Sequence, residues 1–329
     1  MLSKLDIITY KYFRSLKSAV QKMAGNQKHL ITIICTMVVL LFFYSMGFPT
    51  APSKPKTGFQ WGIWNINYPW PGDRECGRFV TRIAKPGTIP TRALASYPGS
   101  GNTWIRYLIE GASGVYTGSI FESGSITNAG HLGELRNFSD GSTILQKTHH
   151  RAIYPYGYRQ YNLTWRIEHI NEFYGRAVVV VRNPFNSILS YWNFYRTGSQ
   201  TATADKNTLL TKEFQDFAFV GINRWYEIIN DWLIYGKDVY FVFYEDLKDD
   251  PVKEIRALFD HLGIELDLNR LECIKKHLTG KFERKNHVEE NLYSFDHRAL
   301  FKLVIDAASK RIVEKTGRSL PLHKYTFYE

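Results

Sequence analysis

The sequence predicts an α/β fold in which a central parallel sheet is flanked by helices, with an N-terminal transmembrane helix ahead of it. Strand and helix patterns alternate from Arg92 onward. The run "RAVVVV", Arg176 to Val181, suits a parallel strand that is covered on both faces. A chain of 329 residues with 44% hydrophobic residues can bury one sizeable core, which excludes a disordered or fibrous protein.

The N-terminal region predicts a single-pass membrane protein. Residues 1–29 carry six lysines and arginines against one aspartate, which is +5 of the net charge of +11. Residues 30–48 contain no charged residue and have about the 20-residue length that a membrane-spanning helix needs. A cleaved signal peptide is the competing interpretation, but the apolar run and the basic segment before it are both long for one. The positive-inside rule then predicts a cytosolic tail (1–29), a signal anchor (30–48), a stem (49–60) and a luminal domain (61–329) in type II topology.

Strands and helices follow in order after an irregular N-terminal strap that ends near Pro90. Asp250 before Pro251 and Gly263 after Leu262 are start and stop signals for one of the helices. The predicted strands cover 92–97, 142–148, 176–181 and 238–244, and the predicted helices cover 103–111, 184–195, 213–235, 251–262 and 296–314. Their alternation predicts a doubly wound parallel sheet.

Two minor features fit a luminal domain. Asn137 and Asn162 each begin an Asn-X-Ser/Thr glycosylation motif. Cys76 and Cys273 are the cysteines beyond the predicted membrane span, and they could pair or remain free thiols. Three cysteines without CxxC spacing exclude a zinc module or a disulfide framework.

The stretch "SYPGSGNTW", Ser96 to Trp104, joins the first predicted strand to the first predicted helix. A glycine-containing turn at a helix N-terminus presents backbone N–H groups to an anion. Gly99 and Gly101 permit close backbone approach, and Ser100, Asn102 and Thr103 add side-chain donors. Because no lysine follows Gly101, the loop lacks the GxxxxGK[ST] pattern of kinases and ATPases. Taken alone, the motif is equally compatible with a glycine-rich turn that binds nothing.

Two further motifs follow predicted strands. Arg182 ends a strand in "VVVVRNPFNS", and Ser190 lies eight residues later, two turns into the next helix, where both can reach one phosphate. "LQKTHH" places Lys147 and His149 at the end of another strand, and a neutral imidazole suits the role of a general base. A solvated turn is the alternative for this motif, and a metal half-site is disfavoured because no third ligand lies nearby in sequence.

Together these motifs resemble the sulfotransferases that use 3′-phosphoadenosine 5′-phosphosulfate (PAPS), whose loop reads approximately T-Y-P-K-S-G-T-T-W. The resemblance implies a P-loop-like sulfotransferase fold with PAPS as donor. It implies that Lys147 contacts the transferring sulfuryl group and that His149, rather than the adjacent His150, is the base. The donor contacts it implies are Pro98, Gly99, Ser100, Gly101, Asn102, Thr103, Trp104, Arg182 and Ser190, with Arg284 and Lys285 of "FERKN" closing over the 3′-phosphate.

Gly99 departs from the family pattern, which has a lysine or arginine at this position. We predict that Lys147, the loop N–H groups and the helix N-terminus supply the missing stabilisation, with Lys147 as the main cation. Alanine at position 147 is then expected to remove turnover and to leave nucleotide binding nearly intact.

The segment "ALASYPGSGNTWIRYLIEGASGVYTGS", Ala93 to Ser119, is most similar to the membrane-anchored WSC-domain-containing (WSCD) sulfotransferase family. The sequence has no counterpart of the cysteine-rich WSC modules. The resemblance implies a Golgi enzyme that sulfates carbohydrate, with hydroxyls of sialic acid on glycolipids or glycoproteins as acceptor, without a metal or a nucleic-acid partner. A tyrosylprotein sulfotransferase and a catalytically silent nucleotide- or glycan-binding homologue are the alternatives.

Overall fold

The computed structural model describes residues 66–149, 163–280 and 292–328. The described residues belong to one compact unit that spans residues 56–329. The predicted tail, signal anchor and most of the stem therefore lie outside the described residues. Among the helices that are described, none combines the length and the apolar composition that a bilayer crossing requires.

The centre of the fold is a parallel sheet of five strands. The strand order is β2-β3-β1-β4-β5, so the first strand lies in the middle and the chain proceeds outward on both sides of it. β1 pairs with β3 through Ala95 and Thr148 and with β4 through Ser96 and Val180. The strands are β1 (Ala93–Ser96), β2 (Gly118–Ser119), β3 (Gln146–Thr148), β4 (Arg176–Val181) and β5 (Asp238–Phe243).

Nine α-helices lie within the described residues. Several have the local signals that the sequence shows: Asp250 caps the helix that begins at Pro251, and Gly263 ends it in the left-handed conformation. The helices are α1 (Asn102–Ser113), α2 (Gly124–Asn128), α3 (Leu163–Glu172), α4 (Pro184–Thr197), α5 (Lys212–Tyr235), α6 (Tyr244–Asp249), α7 (Pro251–Leu262), α8 (Leu268–Lys276) and α9 (Phe295–Thr316).

The sheet is covered on both faces, as the valine run predicts. Val179 and Val181 of β4 pack into one core cluster with residues of α4, α5 and α9. Val178 and Val180 point the other way, into a second cluster with residues of α1, α7 and α8. Each valine is almost completely buried, and burying such a side chain contributes roughly 1.5–3 kcal/mol. Because successive side chains of β4 point to opposite faces of the sheet, this one strand packs against the helices on both faces.

Residues 66–90 form the irregular strap that the sequence predicts. A disulfide between Cys76 and Cys273 ties this strap to α8 across 197 residues of sequence. Trp70 stacks on His277 with ring centroids 5.7 Å apart, and its Nε1 donates to the Tyr107 hydroxyl at 2.9 Å. In the chain-entropy model, closing so long a loop contributes about 5 kcal/mol to stability. The sequence leaves open whether Cys76 and Cys273 pair, and in the structure they form a disulfide.

The structure adds elements that the periodicity does not show. The predicted strand 142–148 is shorter, because only Gln146–Thr148 is paired in the sheet as a strand. The two-residue strand β2 and the short helices α2 and α6 are too brief to produce a period in the sequence. α3 begins next to residues outside the described ranges, and only His169 and Ile170 of its ten residues are buried, so its buried face is narrow.

Candidate active site

The predicted site residues meet at the carboxyl ends of four adjacent strands. The Lys147 segment lies at the end of β3, and the glycine loop follows β1. Arg182 follows β4, and Tyr244 follows β5. Ligands bind at such strand ends in open parallel sheets, particularly where the chain reverses its direction of progress. A cavity of about 1210 Å³ opens there, and ten of the predicted residues line it: Pro98, Gly99, Gly101, Asn102, Thr103, Trp104, Lys147, His149, Arg182 and Ser190.

The glycine loop needs both of its glycines. Gly99 and Gly101 have φ values of 80° and 84°, in the left-handed region that side chains disfavour. A Cβ atom at Gly99 would lie 2.3 Å from the Ser187 carbonyl oxygen and 2.9 Å from the Tyr191 backbone nitrogen. The backbone of α4 thus closes against Gly99. For this reason the lysine that the resembling family has at this position does not fit here.

Arg182 and Ser190 lie beside the loop. Arg182 donates from Nη1 to the Gly99 carbonyl oxygen at 2.8 Å. The Ser190 Cβ lies 3.0 Å from the position that a Cβ at Gly99 would occupy. The Arg182 guanidinium also lies 4.4 Å from the centroid of the Tyr244 ring. The eight-residue spacing in the sequence therefore brings the Arg182 guanidinium and the Cβ of Ser190 to the same turn of the loop.

Unsatisfied polar groups around the loop fit an anionic ligand. Within the described part of the chain, the Ser100 hydroxyl is buried without a hydrogen-bond partner, and so is Nε of Arg182. Buried donors without partners are uncommon because each one costs about 1–3 kcal/mol. Gly101 is the N-cap of α1 and offers no side-chain cap, so the first N–H groups of that helix are open to a ligand. A phosphate or sulfate group matches this set of donors.

Lys147 is the cation that faces the cavity from β3. Its Nζ lies 6.0 Å from the centroid of the Phe121 ring, and no hydrogen bond or ion pair joins it to another described residue. Burial and the positive charge of Arg106 lower the pKa of Lys147 to about 8, against the opposing effect of Glu134. Because Lys147 is partly desolvated, its charge is worth more to a bound anion than a surface charge would be.

His149 is held as a neutral imidazole in one tautomer. Its Nδ1 lies 2.9 Å from the Ser96 carbonyl oxygen, which can only accept, so Nδ1 carries the hydrogen and Nε2 carries the lone pair. The ring stacks on Phe121 with centroids 5.7 Å apart. Burial and the charge of Lys147 lower the pKa of His149 to about 3, although the bond to Ser96 raises it. This arrangement suits a proton acceptor at Nε2.

The sequence predicts that the Asn102 side chain donates to phosphate, but in the structure this side chain donates to groups within the fold. Its side chain is buried, and Nδ2 donates to the Leu94 carbonyl oxygen at 3.1 Å and to the Ser96 hydroxyl at 3.2 Å. Both amide hydrogens are therefore used inside the fold. The backbone N–H of Asn102 remains at the start of α1.

Trp104 lines the cavity with a fixed ring. Its Nε1 donates to the Leu278 carbonyl oxygen at 2.7 Å, and its ring meets the Tyr244 ring edge-on at 5.5 Å. Trp104 is one of the predicted donor contacts, and its ring both lines the cavity and packs against the core cluster on that face of the sheet.

Sequence reasoning missed four residues of the site. Phe121 contacts both Lys147 and His149, yet it lies in a loop without any motif. The Tyr244 ring rests on Gly101, where a Cβ would come within 2.5 Å of it, although the sequence indicates only a structural role for that segment. Arg106 and Glu134 form a buried ion pair at 2.5 Å near Lys147, and the helical pattern of α1 gives no sign of it.

Some predicted residues lie elsewhere. Arg284, Lys285, His150 and Asn162 lie outside the described residues. Asn137 is exposed, and its Oδ1 accepts from the backbone and hydroxyl of Ser139 at 2.9 Å each. Asp73, Cys76 and His277 form a cluster of possible metal ligands, but the sulfur of Cys76 is in the disulfide and His277 Nε2 lies 2.9 Å from Asp73 Oδ2.

The chain is similar to known sulfotransferases and to WSCD family members. The family model described as "Sulfotransferase domain" matches residues 168–303. The chain is 31% identical over 225 residues to WSCD family member GA21586 of Drosophila pseudoobscura pseudoobscura, which covers 67% of this chain and 64% of the relative. It is 30% identical over 210 residues to WSCD family member CG9164 of Drosophila melanogaster, which covers 62% and 59%. A crystal structure of mouse sulfotransferase SULT7A1 complexed with PAP is 18% identical with a TM-score of 0.42, over 67% of this chain and 83% of that one.

The chain is thus similar to the sulfotransferase domain over residues 168–303. It is also similar to WSCD family members, as the segment Ala93 to Ser119 predicts. The chain spans a little under two thirds of the length of these WSCD relatives.

Proposed function

We propose that this protein is a PAPS-dependent sulfotransferase that transfers a sulfuryl group to a carbohydrate hydroxyl. The observation that carries the proposal is the convergence of Arg182, Lys147 and His149 on a glycine loop whose Ser100 hydroxyl has no partner among the described residues. A cation, a neutral base and a helix N-terminus around one cavity are the parts that transfer between anionic oxygens requires.

Each residue has a distinct task in the proposed reaction. PAPS supplies a sulfuryl group attached to a phosphate leaving group. His149 accepts the proton of the acceptor hydroxyl at Nε2, while that oxygen bonds to sulfur and the bond from sulfur to the phosphate oxygen breaks. Lys147 offsets the charge of the sulfuryl oxygens, and Arg182 and Ser190 hold the 3′-phosphate.

Lys147 and His149 act as a coupled pair in this mechanism. The charge of Lys147 is one cause of the low pKa of His149 in the absence of an anion. A sulfuryl group beside Lys147 would offset that charge and raise the basicity of His149. His149 would thus become a stronger base when the donor is in place.

The proposal includes the compartment and the acceptor. We place the catalytic domain in the Golgi lumen, anchored by residues 30–48 with residues 1–29 in the cytosol. The Cys76–Cys273 disulfide supports an oxidising compartment, and the exposure of Asn137 supports its glycosylation there. The acceptor is the one that the resemblance of Ala93 to Ser119 to the WSCD sulfotransferases implies, a hydroxyl on a glycan, with sialic acid of glycolipids or glycoproteins as the first candidate.

Isothermal titration of the full-length protein in detergent with 3′-phosphoadenosine 5′-phosphate (PAP) tests the donor site. We expect binding of PAP that is preferred over ATP with magnesium. Arg182→Ala should weaken PAP binding about tenfold to a hundredfold, because charge-assisted hydrogen bonds to phosphate are lost. Arg256→Ala is the matched control, since Arg256 is exposed on α7 and remote from the cavity lining.

Two results would contradict the proposal. A preference for ATP with magnesium would indicate a kinase, and binding without any PAPS-dependent turnover on glycan acceptors would indicate a silent homologue. Turnover on acidic tyrosine peptides and not on glycans would show that the acceptor is a protein tyrosine, while the proposal of PAPS as donor would stand.

The pH dependence of kcat/KM for PAPS provides a second test. Lys147, with its pKa of about 8, is a cation below that pH and neutral above it. We therefore expect kcat/KM to fall about tenfold per unit above pH 8, since the free enzyme then lacks the charge. His149, with a pKa of about 3, stays neutral and gives no acid limb between pH 5 and 7. Lys147→Arg should shift the alkaline limb upward, and an unchanged limb in that variant would assign it to another group.

A further inference from the structure

Asn102 lies where the resembling family has a threonine in its phosphate loop, but its side chain points into the fold. It is the first residue of α1, and its side chain is almost fully buried. The amide nitrogen donates one hydrogen to the Leu94 carbonyl oxygen and the other to the Ser96 hydroxyl. A side chain with both donors used in this way has none left for a phosphate.

Ser96 connects Asn102 to the proposed base. It is the last residue of β1 and is completely buried. Its carbonyl oxygen accepts from His149 Nδ1 at 2.9 Å, and its hydroxyl oxygen lies 3.3 Å from the same nitrogen. Asn102 therefore fixes the rotamer of Ser96, and Ser96 presents two oxygen atoms to one edge of the imidazole.

This arrangement selects the state of His149. Two acceptor atoms on the Nδ1 side favour the tautomer with hydrogen on Nδ1, which leaves the lone pair on Nε2. The Phe121 ring covers one face of the imidazole, and the charges that face it among the described residues are Lys147 and Arg106. None of these three neighbours can accept a hydrogen from Nδ1. Ser96 alone among the described contacts sets the tautomer.

We propose that Asn102 is a positioning residue for His149, acting through Ser96, and that it does not bind the donor phosphate through its side chain. This inference rests on the proposed function, in which His149 is the base. It also gives α1 two tasks: its N-terminus presents backbone N–H groups to the anion, and its first side chain holds the base. Donor loop and base are then parts of one hydrogen-bonded unit.

The test compares Asn102→Ala and Ser96→Ala with the wild type, using full-length protein in detergent. For Asn102→Ala we expect kcat to fall about tenfold to a hundredfold, because small misplacement of a catalytic group has effects of this size. The dissociation constant for PAP should change less than threefold. Asn223→Ala is the matched control, since Asn223 is exposed on α5 and its amide donates to the Phe219 carbonyl oxygen at 3.1 Å.

A spectroscopic measurement separates positioning from general destabilisation. In protein labelled with ¹⁵N at histidine, the His149 signals, identified by their loss in His149→Gln, should report hydrogen on Nδ1 in the wild type. The Ser96 carbonyl oxygen remains in both Asn102→Ala and Ser96→Ala, so hydrogen should stay on Nδ1. The Nδ1 chemical shift should nevertheless move in both variants, because the contact with the Ser96 hydroxyl is displaced or lost, while the unfolding midpoint stays high enough for binding of PAP.

The outcomes are distinct. Weaker PAP binding with unchanged kcat in Asn102→Ala would overturn the inference, because Asn102 would then act on the phosphate. An unchanged Nδ1 chemical shift in both variants would overturn it as well. If the wild type shows no PAPS-dependent turnover at all, the proposed function fails, and the ¹⁵N measurement by itself decides whether Asn102 positions His149.

Discussion

Replacing Lys147 by alanine is expected to lower kcat by about a hundredfold to a thousandfold while PAP binding changes by less than threefold. The physical reason is that Lys147 enters the cavity from β3, whereas Arg182 and Ser190, which hold the 3′-phosphate in the proposed function, follow β4 on the other side of β1. Its charge therefore stabilises the sulfuryl group during transfer and contributes little to holding the product nucleotide. Steady-state turnover and titration with PAP measure the two effects separately.

Two variants control this experiment. Lys147→Arg retains a cation and should recover part of the activity, whereas Lys147→Met keeps the length and apolar contacts of the side chain and should not. Lys253→Ala removes an exposed lysine from α7 and should leave both quantities unchanged. Near-normal turnover in Lys147→Ala would show that the compensating charge for Gly99 comes from elsewhere, with Arg182 as the next candidate.

Gly99→Lys, which restores the residue of the resembling family, is expected to destroy the donor site. The new side chain would adopt a φ of 80° and its Cβ would overlap the backbone of α4 at Ser187 and Tyr191. The backbone conformation alone costs about 1–2 kcal/mol, and moving a helix costs more. We expect a loss of PAP affinity of more than about a hundredfold and a lower unfolding midpoint, because Arg182 and Ser190 move with α4.

The chain contains a matched control for the backbone conformation. Gly87 has a φ of 77° and no atom within 4 Å of an added Cβ. Gly87→Lys should therefore show the cost of positive φ without the overlap, and PAP binding should be retained. If Gly99→Lys instead bound PAP normally and raised turnover, α4 would not close on the loop and the site would simply lack a cation.

The position of Gly99 also explains how this site differs from the loop pattern T-Y-P-K-S-G-T-T-W. The backbone of α4 occupies the space that a loop side chain would need, and Arg182 at the start of α4 donates to the loop carbonyl. Lys147 enters the cavity from the neighbouring strand. Positive charge is thus supplied by the strand ends on both sides of the loop and not by the loop itself.

Much of the architecture follows from local sequence patterns. The valine run of β4, the Asp250 and Pro251 pair and the glycine after Leu262 each predict an element within one or two residues of its observed limits. These signals are strong because each depends on the backbone preference of a single residue, such as Pro or Gly, or on the regular spacing of buried side chains along a strand or helix. The eight-residue spacing of Arg182 and Ser190 is equally local, since two helical turns place both side chains beside the loop.

Other features depend on contacts between segments that are distant in sequence. The sequence leaves Cys76 and Cys273 either paired or free, and their partnership depends on the packing of the strap against α8. Phe121 has no motif, and it joins the site only because the segment after β2 folds over β3. The sequence predicts Asn102 as a phosphate ligand, whereas in the structure its amide nitrogen donates to the Leu94 carbonyl oxygen and the Ser96 hydroxyl.

The amino-acid sequence by itself determined most of the longer strands and helices, the glycine loop, the placement of Lys147 and His149 at a strand end and the similarity to WSCD family members. These are properties of short segments, whose periodicity, turns and residue types are set within about ten residues along the chain. Only the tertiary structure decided that α4 excludes a side chain at Gly99, that Ser96 fixes the tautomer of His149, and that Arg106 and Glu134 are buried near Lys147. Steric exclusion, hydrogen-bond competition and desolvation act between atoms brought together by the fold, so no single segment contains them.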